Sequence, residues 1–218
     1  MMRLLTIDQS MASCAYVVLD DGVPIFKEVL HTTGSEKKAA TSAADWCMYF
    51  KHPAEQIAFI SRKIADVCES FGVDHIVLES LSFGSAGNAT RDLAGLFFGI
   101  QLTLLRDGYS MDNIHTIAPT SVKSWARKWL PGEEQEVLNA KGTKMDKVKM
   151  GKNEMMRVCE LLHPGFLNGY NKSGKNGGAT DLADAILIGG CFLERYGEKL
   201  GFSLKERNSE DLAVLRSQ

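Results

Sequence analysis

Short apolar runs that stop abruptly at an acid recur along this chain. "LLTI" (4–7) runs straight into Asp8, and "IVL" (76–78) runs straight into Glu79. Runs of this length between polar boundaries predict central strands buried on both faces. "CAYVVLDDGVPIFKEVL" (14–30) holds two β-rich runs around Asp20-Asp21-Gly22, a hairpin signal. The chain therefore opens as a three-strand meander. "DHIVLES" (74–80) predicts a fourth strand and "NIHTIAP" (113–119) a fifth.

Helical periodicity fills the intervals. After Pro53, residues Ile57, Ile60, Ile64, Val67, Cys68 and Phe71 fall on one helical face, and Gly72 supplies a stop. "RDLAGLFFGIQLTLLRDG" predicts an apolar helix closed by Gly108, and "TSVKSWARKWL" a short one capped by Thr120 or Ser121. "GKNEMMRVCELLHP" and "TDLADAILIGGCFLERYG" predict two more. Residues 31–52 and 131–151 lack periodicity and read as insertions, the second a flexible one. A polar tail covers 198–218, in which "DLAVL" is expected to dock as a short helix. A meander followed by βα units implies one α/β domain over residues 1–218, with a five-stranded mixed sheet and helices on both faces.

Composition narrows the function classes. Of 218 residues, 44% are hydrophobic and 24% charged, ordinary values for a globular protein. No apolar run reaches the ~18 residues needed to span a bilayer, and "MMRLLTIDQS" lacks the features of a signal peptide. The expectation is a cytoplasmic protein with no membrane partner. Cys14, Cys47, Cys68, Cys159 and Cys191 are scattered without CxxC or CxxH spacing, so reduced, buried thiols are expected rather than a disulfide framework or a zinc site. The five histidines are likewise isolated and read as structural or surface residues. Net charge is −2, yet Lys141, Lys144, Lys147, Lys149, Lys152, Arg157, Lys172 and Lys175 cluster in one stretch. That stretch is a candidate phosphate-contacting surface or simply a solvated face.

The acids carry the chemistry. Asp8 and Glu79 end predicted strands, where α/β sheets commonly present functional groups. Asp181 and Asp184, in "GGATDLADAILIGG" (177–190), sit three positions apart at the start of an otherwise apolar helix. Each has a plainer reading: Asp181 as a helix cap, Asp184 as a dipole partner, Asp8 in an Asx turn, Glu79 paired with a base. Gathered together, four carboxylates would repel one another unless a hard divalent cation offset them. Two such ions about 3.5–4 Å apart suit phosphodiester hydrolysis without a Ser or Cys nucleophile. Gly177 and Gly178 are expected to turn the chain tightly into the site, and Ala183, Ala185, Gly189 and Gly190 to allow close packing.

"LLTIDQSMASCAYVVLDDG", "HIVLES", "IHTIAPTSVK" and "GATDLADAILIG" resemble, in order and approximate spacing, segments of the RuvC-type Holliday-junction resolvases. These belong to the ribonuclease H-like superfamily. The resemblance spans most of residues 3–195 and is to a phage-like member; residues 31–52, 131–151 and the tail past 197 are enlarged relative to the compact family pattern. It implies a ribonuclease H-like fold and catalytic acids at Asp8, Glu79, Asp181 and Asp184, binding two Mg²⁺ (or Mn²⁺). It further implies a homodimer that cuts opposed strands of a four-way DNA junction in a bacterial cytoplasm. Lys152, or alternatively Lys149, matches a basic residue facing the scissile phosphate. Phe83, slightly displaced from the family's spacing, matches an aromatic that stacks on unpaired bases, unless it tucks against the following helix. Lys144, Lys147, Lys149 and Lys152 would contact the DNA backbone.

Three other functions compete. A nuclease acting on flaps or other branched DNA would keep the same acids. A non-catalytic junction-binding protein would not need them. An actin-like ATPase would need a glycine-containing phosphate turn where this chain has "DQSMAS", so no nucleotide cofactor is expected.

Overall fold

A computed structural model of the chain describes residues 2–41, 46–81, 88–138 and 143–202. The opening meander consists of β1 (Arg3–Asp8), β2 (Ser13–Asp20) and β3 (Val23–Thr33), paired antiparallel. The β2–β3 turn places Asp21 and Gly22 at φ 45 and 85, the paired positive φ values of a tight hairpin turn. After a short α1 (Glu36–Ala39) and β4 (Met48–Tyr49) comes α2 (Pro53–Phe71), stopped by Gly72 at φ 57. Then follow β5 (His75–Glu79), α3 (Asn88–Arg106), β6 (Ile114–Ile117) and α4 (Pro119–Arg127). A hairpin of β7 (Glu136–Leu138) and β8 (Met145–Lys147) precedes α5 (Lys152–Leu162) and α6 (Ala179–Tyr196).

The main sheet has six strands in the order β4-β3-β2-β1-β5-β6, with β5 parallel to both β1 and β6. The sixth strand, one more than the sequence predicts, is β4, which pairs parallel with the end of β3 inside the expected insertion 31–52. Two residues are too few to show a period, and its register comes from β3 alone. The expected flexible segment 131–151 likewise contains the β7–β8 hairpin, whose residues are all exposed and carry no apolar alternation. Thr120 and Ser121 do not cap α4. That helix starts one residue earlier with Pro119 at its first position and Ala118 as N-cap, because proline's fixed φ and missing N–H suit a helix start. The expected "DLAVL" helix and the role of Phe83 lie outside the described residues.

Alternation along the strands divides the core in two. Leu5, Ile7, Tyr16, Val18, Ile76 and Leu78 face α2 and α3, whereas Leu4, Ala15, Val17, Leu19 and Val77 face α4, α5 and α6. The five cysteines are free and buried, and no helix among the described residues is long and apolar enough to cross a membrane. α6 lies close against β1 and β2 because Gly189 leaves room. A Cβ there would meet Leu19 Cδ1 at 2.6 Å and Thr6 Cγ2 at 2.7 Å. A Cβ at Gly190 would meet the Trp125 ring of α4 at 2.7 Å.

Candidate active site

Strand parity aims the acids. Asp8 shares its face with Leu4 on β1, and Glu79 shares its face with Val77 on β5; both faces are the one α6 covers. The β1–β5 register ends at Ile7 opposite Leu78, so Asp8 and Glu79 emerge side by side one residue further on. The Gln9 side chain ties the two strand ends together: its amide nitrogen donates to the Glu79 carbonyl, and its oxygen accepts from the Glu79 N–H at 3.1 Å. The backbone carrying Glu79 is thus fixed from β1.

α6 brings the second pair of acids to this place. It begins at Ala179 after Gly178, whose φ of 97 is open to glycine and whose missing Cβ avoids Val29 on β3 at 2.7 Å. Asp181 is therefore inside the first turn and not the cap. Its carboxylate instead accepts from Ser13 Oγ at 2.5 Å and Thr180 Oγ1 at 3.2 Å. Asp184 lies one turn on, along the same helical face, and its Oδ1 is buried with no hydrogen-bond partner.

Asp8 and Asp184 feel the charges of their acidic neighbours. Burial raises the Asp8 carboxyl well above the ordinary carboxylate range, and the charges of Asp184, Glu79 and Asp181 raise it further, with Lys152 opposing. Burial likewise pushes Asp184 up to about 7, assisted by Glu79 and Asp181 and opposed by Lys123 and Lys152. Glu79 is raised by burial against the pull of Lys123. Of the two lysines expected near the acids, Lys152, the first residue of α5, is the one whose charge is felt there. Lys149 lies exposed in the connection before it.

Sequence reasoning overlooked four neighbours of these acids. Lys123, on α4, lowers the pKa values of Glu79 and Asp184 by its charge, and no local pattern in the sequence marked it. Ser13 and Gln9 carry polar atoms beside buried strand ends. His31 sits opposite Ser13 on β3; burial lowers its pKa, while a hydrogen bond with the Gly177 backbone and the charge of Asp181 oppose that shift. Lys144 and Lys147 are exposed on the β7–β8 hairpin, where Lys144 pairs with Asp146 at 3.7 Å.

Among the described residues, no group of three or more His, Cys, Asp or Glu side chains forms a ready-made metal cage. The donor set nevertheless suits a hard divalent cation. Mg²⁺ takes oxygen ligands, and one or two protein carboxylates suffice when water and phosphate complete its shell. The partnerless Asp184 Oδ1 is a buried anionic oxygen, a costly group unless it is neutralised or coordinated.

A six-stranded mixed sheet with α6 packed across it and acids at two parallel strand ends makes up a mixed α/β fold that solved junction-resolvase structures share. The chain is similar to Thermus thermophilus RuvC in complex with a Holliday junction substrate, at 15% identity and a TM-score of 0.54, covering 89% of this chain and 96% of that one. A second structure of Thermus thermophilus RuvC matches at 16% identity and 0.54, covering 90% and 97%. The yeast mitochondrial Holliday junction resolvase Ydc2 matches at 15% and 0.51, covering 98% and 84%. No family model and no curated protein matches the sequence. At such identities the likeness establishes the fold.

Proposed function

We propose that this chain is a metal-dependent, structure-selective endodeoxyribonuclease that resolves four-way DNA junctions as a homodimer. The observation that carries the reading is the convergence of Asp8, Glu79, Asp181 and Asp184 from three distant chain segments onto one face of the sheet. The similarity to solved junction resolvases supports the choice of substrate. Asp8, Glu79, Asp181 and Asp184 would hold two Mg²⁺ ions, for which Mn²⁺ can substitute. Bound divalent cations supply Lewis-acid polarisation of phosphate oxygens and a water of lowered pKa.

The remaining chemistry belongs to the chain. Lys152 and Lys123 approach the acids from α5 and α4 and offset negative charge on a phosphodiester. Ser13 and Thr180 hold the Asp181 carboxylate in one orientation, and Gln9 holds the backbone of Glu79. Burial of Asp8 and Asp184 keeps bulk water from solvating them, which favours their neutral forms until a cation arrives.

The test is a cleavage assay on four-way junctions, three-way junctions, flaps, linear duplex and RNA–DNA hybrid, with Mg²⁺ and with EDTA. Paired incisions in the four-way junction, dependent on Mg²⁺, are expected. Preferred cutting of flaps or three-way junctions would shift the substrate to other branched DNA. Tight junction binding without incision in Mg²⁺ or Mn²⁺ would reduce the protein to a junction binder.

A further inference from the structure

Between Glu160 and Asp181 the chain carries no acid and two lysines, Lys172 and Lys175. Both lie in a loop built for its place. The Asn171 N–H donates to the Asn176 carbonyl and closes the loop, and the Gly177 N–H tightens it by donating to the Gly174 carbonyl at 2.9 Å. Gly174 takes φ 86, a conformation that suits glycine. Residues 171–176 are exposed, whereas 177–180 are buried. The loop is tied to the acid site at two points. At its root the N–H of Ala179, two residues before Asp181, donates to the Asn171 carbonyl at 3.1 Å. At its tip Lys172 Nζ donates to Asn153 Oδ1 at 2.9 Å. Asn153 is the second residue of α5, beside Lys152, whose charge reaches Asp8 and Asp184.

The groups gathered at this rim are donors. Lys152, Lys172 and Lys175 are exposed and form no ion pair among the described residues. Lys172 keeps two further ammonium protons beyond the one given to Asn153, and Asn153, with its oxygen taken, has its amide nitrogen left to donate. The two acids of α5 are engaged with backbone: Glu154 accepts from the Gly151 N–H and Glu160 from the Gly165 N–H, each at 3.0 Å. Even with Glu154 counted, the three lysines leave an excess of two positive charges. Like charges held this close by one loop and one helix start favour an anion between them. A lipid headgroup or an acidic protein has no reason to lie beside four carboxylates. A strand whose phosphodiester is being cut there must pass this rim.

We propose that the 171–176 loop and the start of α5 form a saddle for the DNA phosphates beside the cleaved one, gripped by Lys172, Lys175 and Asn153. Contacts of this kind fix the register of a protein on its nucleic acid without reading sequence. The proposal rests on the nuclease reading for its substrate, and it adds a grip that sets where along the strand the acids cut.

The probe is a fluorescently labelled four-way junction titrated with the full chain in EDTA at several salt concentrations. Lys172→Ala/Lys175→Ala should weaken binding roughly tenfold at low salt and lower the slope of log affinity against log salt by about 2. Lys172→Arg/Lys175→Arg should bind as the wild type does. Both side chains are exposed, so the alanine variant should keep the wild-type Tm. Position is read from junctions carrying one methylphosphonate, a neutral phosphate, at successive sites around the branch. At a phosphate in the saddle this change should weaken the wild type by roughly threefold or more and leave the alanine variant unaffected. Affinity within about twofold of wild type with an unchanged salt slope overturns the proposal. So does a lower slope with simple additivity at every methylphosphonate site, since the lysines would then act only through the general field of the protein. Cleavage by the wild type in Mg²⁺ is scored separately. A junction bound through Lys172 and Lys175 but never cut refutes the nuclease and leaves the saddle, and paired incision with binding independent of both lysines does the reverse.

Discussion

Replacing Asp184 by Asn should stabilise the metal-free protein, and the gain should grow with pH. The Asp184 carboxyl moves from an ordinary 3.8 to about 7 on folding, through burial first and then the charges of Glu79 and Asp181. A carboxyl whose folded pKa is raised takes up a proton as the chain folds. It therefore costs nothing below about pH 4, where both states are protonated, and its cost rises until pH passes about 7 and is constant above. The interval corresponds to roughly 4 kcal/mol at about 1.4 kcal/mol per tenfold change in proton affinity. Asparagine removes the charge but leaves a buried polar group, so the net gain should be about 2–4 kcal/mol near pH 8.5 and close to zero near pH 4. Urea unfolding in EDTA at the two pH values measures it, as a midpoint shift of roughly 1–2 M at the higher pH. Mg²⁺ should narrow the gap by binding the folded wild type. Equal midpoint differences at both pH values, or a less stable variant near pH 8.5, would show that the acid cluster is not strained as described.

Further outcomes follow from the same geometry. Asp8→Asn should lower Mg²⁺-dependent cleavage by at least about a thousandfold while junction affinity in a gel-shift assay stays within about threefold, because phosphate contacts and shape carry binding; cleavage at the wild-type rate would dismantle the four-acid site. Charge reversal at Lys149 should weaken junction binding more at low salt than at high salt, and a salt-independent effect would remove it from the interface. Gly189→Ala forces a Cβ within 2.6 Å of Leu19 and should cost about 1–3 kcal/mol by overpacking, read as a lower Tm. An unchanged Tm would mean α6 has slack against the sheet.

Much of the frame was legible because it rests on local rules. Pro53 and Gly72 bound α2 as their backbone preferences require, and Asp21-Gly22 adopts the positive φ values that a tight turn demands. The runs ending in Asp8 and Glu79 are strands ending at those residues. The misses share a cause. β4 and the β7–β8 strands hold only two or three residues each, so their pairing is imposed by neighbours and leaves no period to detect. At α4 two competing start signals lay side by side, and Pro119 prevailed over the hydroxyls of Thr120 and Ser121.

The acids divide along the same line. By itself the sequence determined that Asp8, Glu79, Asp181 and Asp184 each abut a buried element, and that small residues follow the last pair. Local pattern could not separate Asp181 as a helix cap from Asp181 as part of a cluster, since both place an acid in the first turn. The tertiary structure decided it: Gly178 takes the cap position, and Ser13, from a strand far away in the chain, holds the Asp181 carboxylate. The same packing brought Lys123 and Lys152 to the acids and left Asp184 Oδ1 without a partner. Which strand ends lie side by side, and how closely a helix settles on them, depends on contacts between residues distant in sequence, and no local periodicity encodes those distances.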